Sequence, residues 1–263
     1  MTISTSKSTD LIVGKDIPEI ELIPGLKKTE GLIADTCEYF FKGNMRMNNP
    51  PFKGFLLEGE PGTGKTELFK QVIHKLDRRL RGHGFQVHML FVDGATIAAP
   101  KWGEAEKNLA AVFNRIHVLK DEMKYEKLSP KLVILFDDIE SLMIRRGVDL
   151  AKEWHYSINS ILFHEIDKLN PTDVMICATT NRPDLVDTAI QTRLYRMGVP
   201  LVSLDELMII VKEILEYSEM AEKDRTEAAK SIKEKLSKRD TPTIRDAKHV
   251  TIIECIEGGY WSI

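Results

Sequence analysis

The chain has 263 residues, 43% of them hydrophobic and 29% charged, enough to bury a core, which excludes general disorder. Thirty-seven Lys and Arg against 40 Asp and Glu leave a formal charge of −3, so no chain-wide basic excess draws the protein onto nucleic acid or an anionic membrane. Its longest apolar runs, such as residues 132–136, are strand-sized and fall far short of the roughly 20 residues of a membrane span.

The first ten residues are rich in Ser and Thr, carry one Lys, and have no apolar stretch ending in a cleavage site, so they do not read as a secretory signal; the expected compartment is the cytoplasm. Cys37, Cys177 and Cys255 are an odd number with no close pair, which argues against a disulfide framework or a zinc cluster and predicts reduced, buried thiols. His83, His88, His155 and His164 show no ligand spacing either. Residues 11–51 lack a strong period, and Asn48-Asn49-Pro50-Pro51 marks a loop. Residues 1–52 are therefore expected to be a flexible N-terminus and linker, with one helix over 29–41.

Apolar runs at 55–57, 87–92, 132–136 and 174–178 are short and unalternated, the pattern of strands buried on both faces of a parallel sheet. Helical stripes separate them: Leu109, Val112, Phe113 and Ile116 in one, and Ile158, Ile161, Leu162, Ile166 and Leu169 in another. Strand and helix alternate, so an α/β domain is expected over 53–202, with a mostly parallel five-stranded sheet flanked by helices. After Pro200 the character changes. Ser203 and Glu206 form a capping-box pattern ahead of Leu207, Val211 and Leu215, and a last helix is expected to start near Thr243 and end at Gly258-Gly259. Residues 203–263 read as a small all-α lid domain.

Gly59-Glu60-Pro61-Gly62-Thr63-Gly64-Lys65-Thr66 matches G-x-x-x-x-G-K-[ST], after a strand and before a helix. Glycines let consecutive backbone N–H groups converge on phosphate oxygens at the positive end of a helix. Glu60, Pro61, Gly62, Thr63, Gly64, Lys65, Thr66 and Glu67 are accordingly the candidate nucleotide-binding residues. Lys65 would serve the β- and γ-phosphates, and the Thr66 hydroxyl would be a Mg²⁺ ligand, so the expected cofactors are ATP and Mg²⁺.

The run 132–136 ends in Asp137-Asp138, at the carboxyl edge where open α/β sheets bind ligands. Asp137 would hold Mg²⁺, and Asp138 would orient and deprotonate the attacking water.

Together, the phosphate loop, Asp137-Asp138, and Ala178-Thr179-Thr180-Asn181-Arg182-Pro183 followed by Arg193 and Arg196 resemble the Walker A, Walker B, sensor 1 and arginine-finger segments of the AAA+ ATPases. The resemblance covers residues 52–200. Lys101-Trp102 ahead of an acidic helix, Asp138-Ile139-Glu140-Ser141-Leu142 and a late Arg245 are most similar to the branch that remodels HORMA-domain proteins. The resemblance implies that Asn181 positions the water and senses the γ-phosphate, the alternative being an Asn that caps the following turn. It implies that Arg193 or Arg196 reaches a neighbouring subunit's nucleotide, Arg193 being slightly favoured and the other a structural ion-pair partner. It places Arg245 either as the lid's sensor 2 or as an exposed helix arginine.

One departure matters. Most active relatives have Glu where this chain has Asp138; Asp is one methylene shorter, and misplacing a base by about 1 Å can cost on the order of a hundredfold in rate. Turnover is expected to be slow. Glu140 receives no catalytic role, because a following helix would turn it away.

Lys101, Trp102 and Gly103 resemble the aromatic pore loop with which hexameric relatives grip an extended polypeptide, the alternative being that Trp102 packs on its own domain. Arg145-Arg146-Gly147 is either a second pore loop or a solvated pair. The leading expectation is an ATPase acting as a homo-oligomeric ring, a hexamer, that remodels a protein substrate, either HORMA-like or delivered by an adaptor. The alternative is a nucleotide-gated assembly scaffold with slow hydrolysis. A DNA-bound initiator ATPase is disfavoured by the charge balance.

Overall fold

The computed structural model describes residues 9–43, 52–98, 103–122, 127–143 and 153–260. Contacts divide them into two units. One takes the residues through Ile20, Glu30–Glu58 and Thr66–Gly198; the other takes Glu21–Thr29, Gly59–Lys65 and the residues from Val199 onward.

The first unit holds a six-stranded sheet: β1 (Thr9–Val13), β2 (Gly54–Glu58), β3 (Phe85–Asp93), β4 (Ser129–Asp137), β5 (Val174–Thr180) and β6 (Leu194–Gly198), in the order β1-β3-β4-β5-β2-β6. β2 to β6 are mutually parallel, and β5 is buried along its whole length. That burial on both faces is why the strands read as continuous apolar runs. The sheet has one strand more than the five expected. β1 pairs antiparallel with β3, Leu11 opposite Leu90, in a segment expected to be linker. Its apolar run of Leu11-Ile12-Val13 is too short to carry a period; main-chain pairing to an edge, which leaves no trace in side-chain pattern, holds it.

Helices α1 (Pro24–Phe41), α2 (Lys65–Arg81), α3 (Gly94–Ile97), α4 (Glu104–Glu122), α5 (Glu153–Lys168) and α6 (Thr188–Gln191) connect or precede the strands. α1 starts at Pro24, earlier than the expected residue 29, because Pro suits the first helical position, where its missing N–H costs nothing. On one face of the sheet, Leu90, Ile134, Phe136, Ile176 and Ala178 pack with Leu109, Val112, Phe113 and Ile116 of α4 and Ile158, Leu162 and Ile166 of α5. The alternate residues Val133, Leu135, Met175 and Cys177 are equally buried on the other face, where Cys37 of α1 lies close enough to Cys177 to raise its thiol further, beyond the dominant effect of burial.

The second unit contains α7 (Leu204–Glu216), α8 (Glu222–Ser237) and α9 (Ile244–Glu257), with α7 packed on both others. Ser203 and Glu206 cap α7 reciprocally, and Thr243 and Asp246 do the same for α9. Gly259 takes the left-handed conformation, φ +70°, that ends α9. Among the described residues, no helix is long and apolar enough to cross a membrane.

Candidate functional site

β4 runs apolar to its end and then presents Asp137 and Asp138 at the carboxyl edge of the sheet. Asp137 Oδ1 accepts two hydroxyls: Thr66 Oγ1 at 2.6 Å, from the first turn of α2, and Thr179 Oγ1 at 2.7 Å, from β5. A hydroxyl that donates its hydrogen to a carboxylate keeps its lone pairs for a cation. Thr66 and Asp137 are thus paired oxygen donors of the kind a hard divalent ion uses, and among the described residues no group of three or more His, Cys, Asp or Glu forms a complete cage. Two protein oxygens with the rest from phosphate and water is how Mg²⁺ rides on a nucleotide, so the residues fit it.

Asp138 is held on three sides. Its N–H donates to Thr179 Oγ1 at 3.1 Å, its Oδ1 accepts from Asn181 Nδ2 at 2.8 Å, and its carbonyl accepts from Ser141 N at 3.0 Å. Among the described residues it is the only non-glycine at positive φ, 51°. The Asn181 N–H in turn donates to Glu140 Oε1 at 2.9 Å. The expected water-orienting pair, Asp138 and Asn181, is therefore brought together.

β3 ends beside this pair, Asp93 opposite Asp137. Asp93 is not a ligand candidate, because its carboxylate caps α3, accepting from Ala95 N at 2.9 Å and Thr96 Oγ1 at 2.8 Å. Its neighbour Gly94 sits against the acidic strand end: a Cβ there would lie 2.6 Å from the Asp138 carbonyl oxygen and 3.0 Å from that of Asp137.

The phosphate-loop residues Gly59–Lys65 lie in the second unit. Gly62 and Gly64 have φ of +80° and +93°, the left-handed values that turn successive N–H groups inward. The Lys65 ammonium is buried and donates to the carbonyls of Gly59 at 2.8 Å and Glu60 at 2.9 Å; Thr63 Oγ1 donates to the Glu60 carbonyl at 2.9 Å. Glu60 and Pro61 are exposed, and Glu67 accepts from Gln71. In the same unit the start of α9 meets this loop. The Arg245 N–H donates to the Gly62 carbonyl at 3.3 Å, and a Cβ on Gly62 would lie 2.9 Å from Thr243 Oγ1. The Arg245 side chain is exposed.

Arg193 and Arg196 both carry ion pairs within the first unit. Arg193 grips Asp167 with two hydrogen bonds of 2.7 Å, donates to the Ala189 carbonyl, and lies over the Phe163 ring. These contacts hold the Asp167 carboxyl below the usual carboxylate range, the hydrogen bond from Arg193 being the main cause. Arg196, on β6, grips Glu58 at 2.5 and 2.9 Å and is the more exposed of the two. Gly103 precedes α4 at φ +74°. Lys101 and Trp102, like Arg145, Arg146 and Gly147, lie outside the described residues.

The sequence assigns no role to three residues at the acidic strand end: Thr179, which ties Asp137 to Asp138; Gly94, which makes room for them; and Glu140, expected to be turned away but found accepting the Asn181 N–H. The available signal was a polar Thr179-Thr180 closing an otherwise apolar strand.

The sequence profile of the "ATPase family associated with various cellular activities (AAA)" matches residues 55–203, more than half of the chain. Among curated relatives, the "AAA ATPase forming ring-shaped complexes" of Corynebacterium diphtheriae is 29% identical over 182 residues, 67% of this chain and 34% of its own length. The "Cell division cycle protein 48 homolog" of Archaeoglobus fulgidus is 30% identical over 199 residues, 72% of this chain and 24% of its own. The chain spans about a third or less of the length of these relatives. Among solved structures, a chain of the E. coli HORMA:CdnC:Trip13 complex superposes with TM-score 0.65 at 14% identity, covering 94% of each chain. C. elegans PCH-2 gives 0.66 at 19% identity, covering 95% of this chain and 75% of that one. At those identities the structural likeness speaks for the fold, and the sequence profile for descent: the chain belongs to the AAA ATPase family.

Proposed function

We propose that this protein binds Mg–ATP on Gly59–Thr66 and hydrolyses it as part of a homo-oligomeric ring, a hexamer, that remodels a protein substrate in the cytoplasm. The observation that carries the nucleotide reading is the Asp137 carboxylate shared by the hydroxyls of Thr66 and Thr179. Thr66 and Asp137 would hold the metal, which supplies positive charge to the β- and γ-phosphate oxygens. Backbone N–H groups of the loop and the Lys65 ammonium bind the same oxygens. Asp138 takes the proton of the attacking water as its oxygen bonds to the γ-phosphorus and the bond to the bridging oxygen of ADP breaks. The Asn181 amide orients Asp138 and that water.

Charge building on the transferred group calls for a guanidinium from the neighbouring copy. Greater exposure favours Arg196, held by Glu58 and Gln191, over Arg193, which the sequence slightly favoured and which is clamped on Asp167 and the Ala189 carbonyl. Arg245 is carried to the phosphate loop by α9 and is the sensor 2 candidate. The ring is supported by relatives named for ring-shaped complexes. A HORMA-like substrate is supported by one structural neighbour's place in a HORMA:CdnC:Trip13 complex. The pore-loop role of Lys101, Trp102 and Gly103 rests on their sequence.

A second reading, a nucleotide-gated scaffold that hydrolyses slowly, is favoured by the short Asp138. Two variants separate the readings. Asp138→Asn should retain ATP binding and lose single-turnover hydrolysis by about 100-fold or more, the worth of a positioned base. Trp102→Ala should abolish substrate processing while ATP-dependent assembly persists; a scaffold would be indifferent to it. Unchanged hydrolysis in Asp138→Asn removes Asp138 from the mechanism.

A further inference from the structure

We propose that Glu140 is a positioning residue for the hydrolytic step, acting on Asp138 through Asn181; the proposal rests on the ATP-hydrolysing reading above. Were the chain to continue from Asp138 into an ordinary helix, Glu140 would be turned away. It does not. Asp138 takes φ 51° and ψ 56°, the left-handed region, and the chain passes into a single 3-10 turn over Ile139–Ser141. That reversal turns Glu140 onto the end of β5, where its Oε1 accepts the Asn181 backbone N–H at 2.9 Å. The Asn181 side chain reaches back from the same residue to Asp138 Oδ1 at 2.8 Å. Asp138 and Glu140 thus hold Asn181 by its side chain and by its main chain respectively.

The arrangement costs stability locally. A non-glycine residue in the left-handed region is uncommon and persists only where its surroundings fix it. Here Thr179 holds the Asp138 N–H, and the missing side chain of Gly94 admits the Asp138 carbonyl. Glu140 Oε2 is buried without a hydrogen-bond partner, a second unfavourable feature that packing alone would not select. The charge of Glu140 is also felt by Arg182, whose guanidinium is held protonated first by Asp184 and then, more weakly, by Glu140. The carboxylate is therefore turned toward the segment that carries the water-orienting amide.

Such a brace has a use in this chain. Asp138 is one methylene shorter than Glu, so its reach depends on where the backbone turn and the Asn181 amide set it. A shift of about 1 Å in a reacting group costs on the order of a hundredfold.

The test measures ATP turnover and the side-chain amide NMR signals of Asn181 on the intact chain. Glu140→Ala should lower kcat by about tenfold to a hundredfold while leaving KM for ATP within about twofold, because the reacting geometry and not binding is lost. Glu140→Gln keeps an acceptor oxygen for the Asn181 N–H and should recover most of that loss; Glu140→Asp, too short to reach, should not. On an Asn181→Ala background, Glu140→Ala should cost nothing further. The Asn181 side-chain signals should move in Glu140→Ala and hold in Glu140→Gln. Wild-type kcat in Glu140→Ala, equal losses in the Ala and Gln variants, or additive losses in the double variant each overturn the proposal. If Glu140→Ala does not fold, the Asp and Gln variants carry the same comparison. Absence of turnover in the wild type would sink the ATPase reading, and the Asn181 signals would still decide whether Glu140 sets that amide.

Discussion

Thr66 and Asp137 stand 71 positions apart in the chain, and the hydroxyl of one donates to Oδ1 of the other at 2.6 Å. The first turn of α2 and the end of β4 are joined there by a contact too short for anything to intervene. Thr66→Ala removes a donor to the carboxylate and a candidate metal oxygen at once. ATP turnover should fall on the order of 100-fold at saturating Mg²⁺, and the Mg²⁺ concentration for half-maximal turnover should rise. Titrating turnover against Mg²⁺ checks both; an unchanged Mg²⁺ dependence would detach Thr66 from the metal.

Gly94 supplies a steric test of the same corner. A methyl group 2.6 Å from the Asp138 carbonyl oxygen and 3.0 Å from that of Asp137 must push the acidic strand end away from β3. Gly94→Ala should destabilise the protein by about 1–3 kcal/mol, the usual range for forced overpacking, and should lower turnover beyond what partial unfolding explains. Urea denaturation paired with turnover per folded molecule decides it.

The thiols offer a chemical test of the core. Cys37, Cys177 and Cys255 are free and buried, and burial pushes the Cys37 thiol up to about 12. Thiolate is the reactive form, so at about pH 8 all three should resist alkylation in the native protein and react in denaturant. Mass spectrometry of native and unfolded samples counts the adducts.

Sequence reached much of this. The four strand runs and the stripes Leu109–Ile116 and Ile158–Ile166 lie where their periodicity put them, because burial on both faces, or along one stripe, is written directly in residue type. The cap at Ser203 was readable because a side chain makes it, and the last helix starts near Thr243 as expected, with a Thr243–Asp246 capping box that the sequence reading did not name. β1 and the edge strand β6 escaped, since main-chain pairing selects few side chains. At the site, Asp137, Asp138 and Asn181 were legible from their motifs. The contact between Glu140 and the Asn181 N–H was not, because it depends on the positive φ of Asp138, a conformation uncommon for any non-glycine residue and announced by no pattern.

The helix caps carry a pH dependence. Glu206 is held below the usual carboxylate range, first by the Ser203 hydroxyl and then by backbone N–H groups including that of Gly25. A depressed carboxyl contributes stability that is fully present above its unfolded value of about 4.3 and is lost as pH falls through the lower folded value. The Ser203→Ala variant should lose about 1 kcal/mol near neutral pH, and its deficit against wild type should shrink on acidification below about pH 4. Thermal denaturation of both proteins at several pH values checks the trend.

Nucleotide capture by the loop that Lys65 closes underlies every step of the proposed activity. Isothermal titration calorimetry of the intact chain with Mg–ATP tests it directly. Wild type should show saturable heat with a dissociation constant in roughly the micromolar to millimolar range, and Lys65→Ala should weaken it by about tenfold or more, the loss of a charge-assisted hydrogen bond. A well-folded wild type that releases no heat, or a Lys65→Ala variant with the parent's affinity, would contradict it.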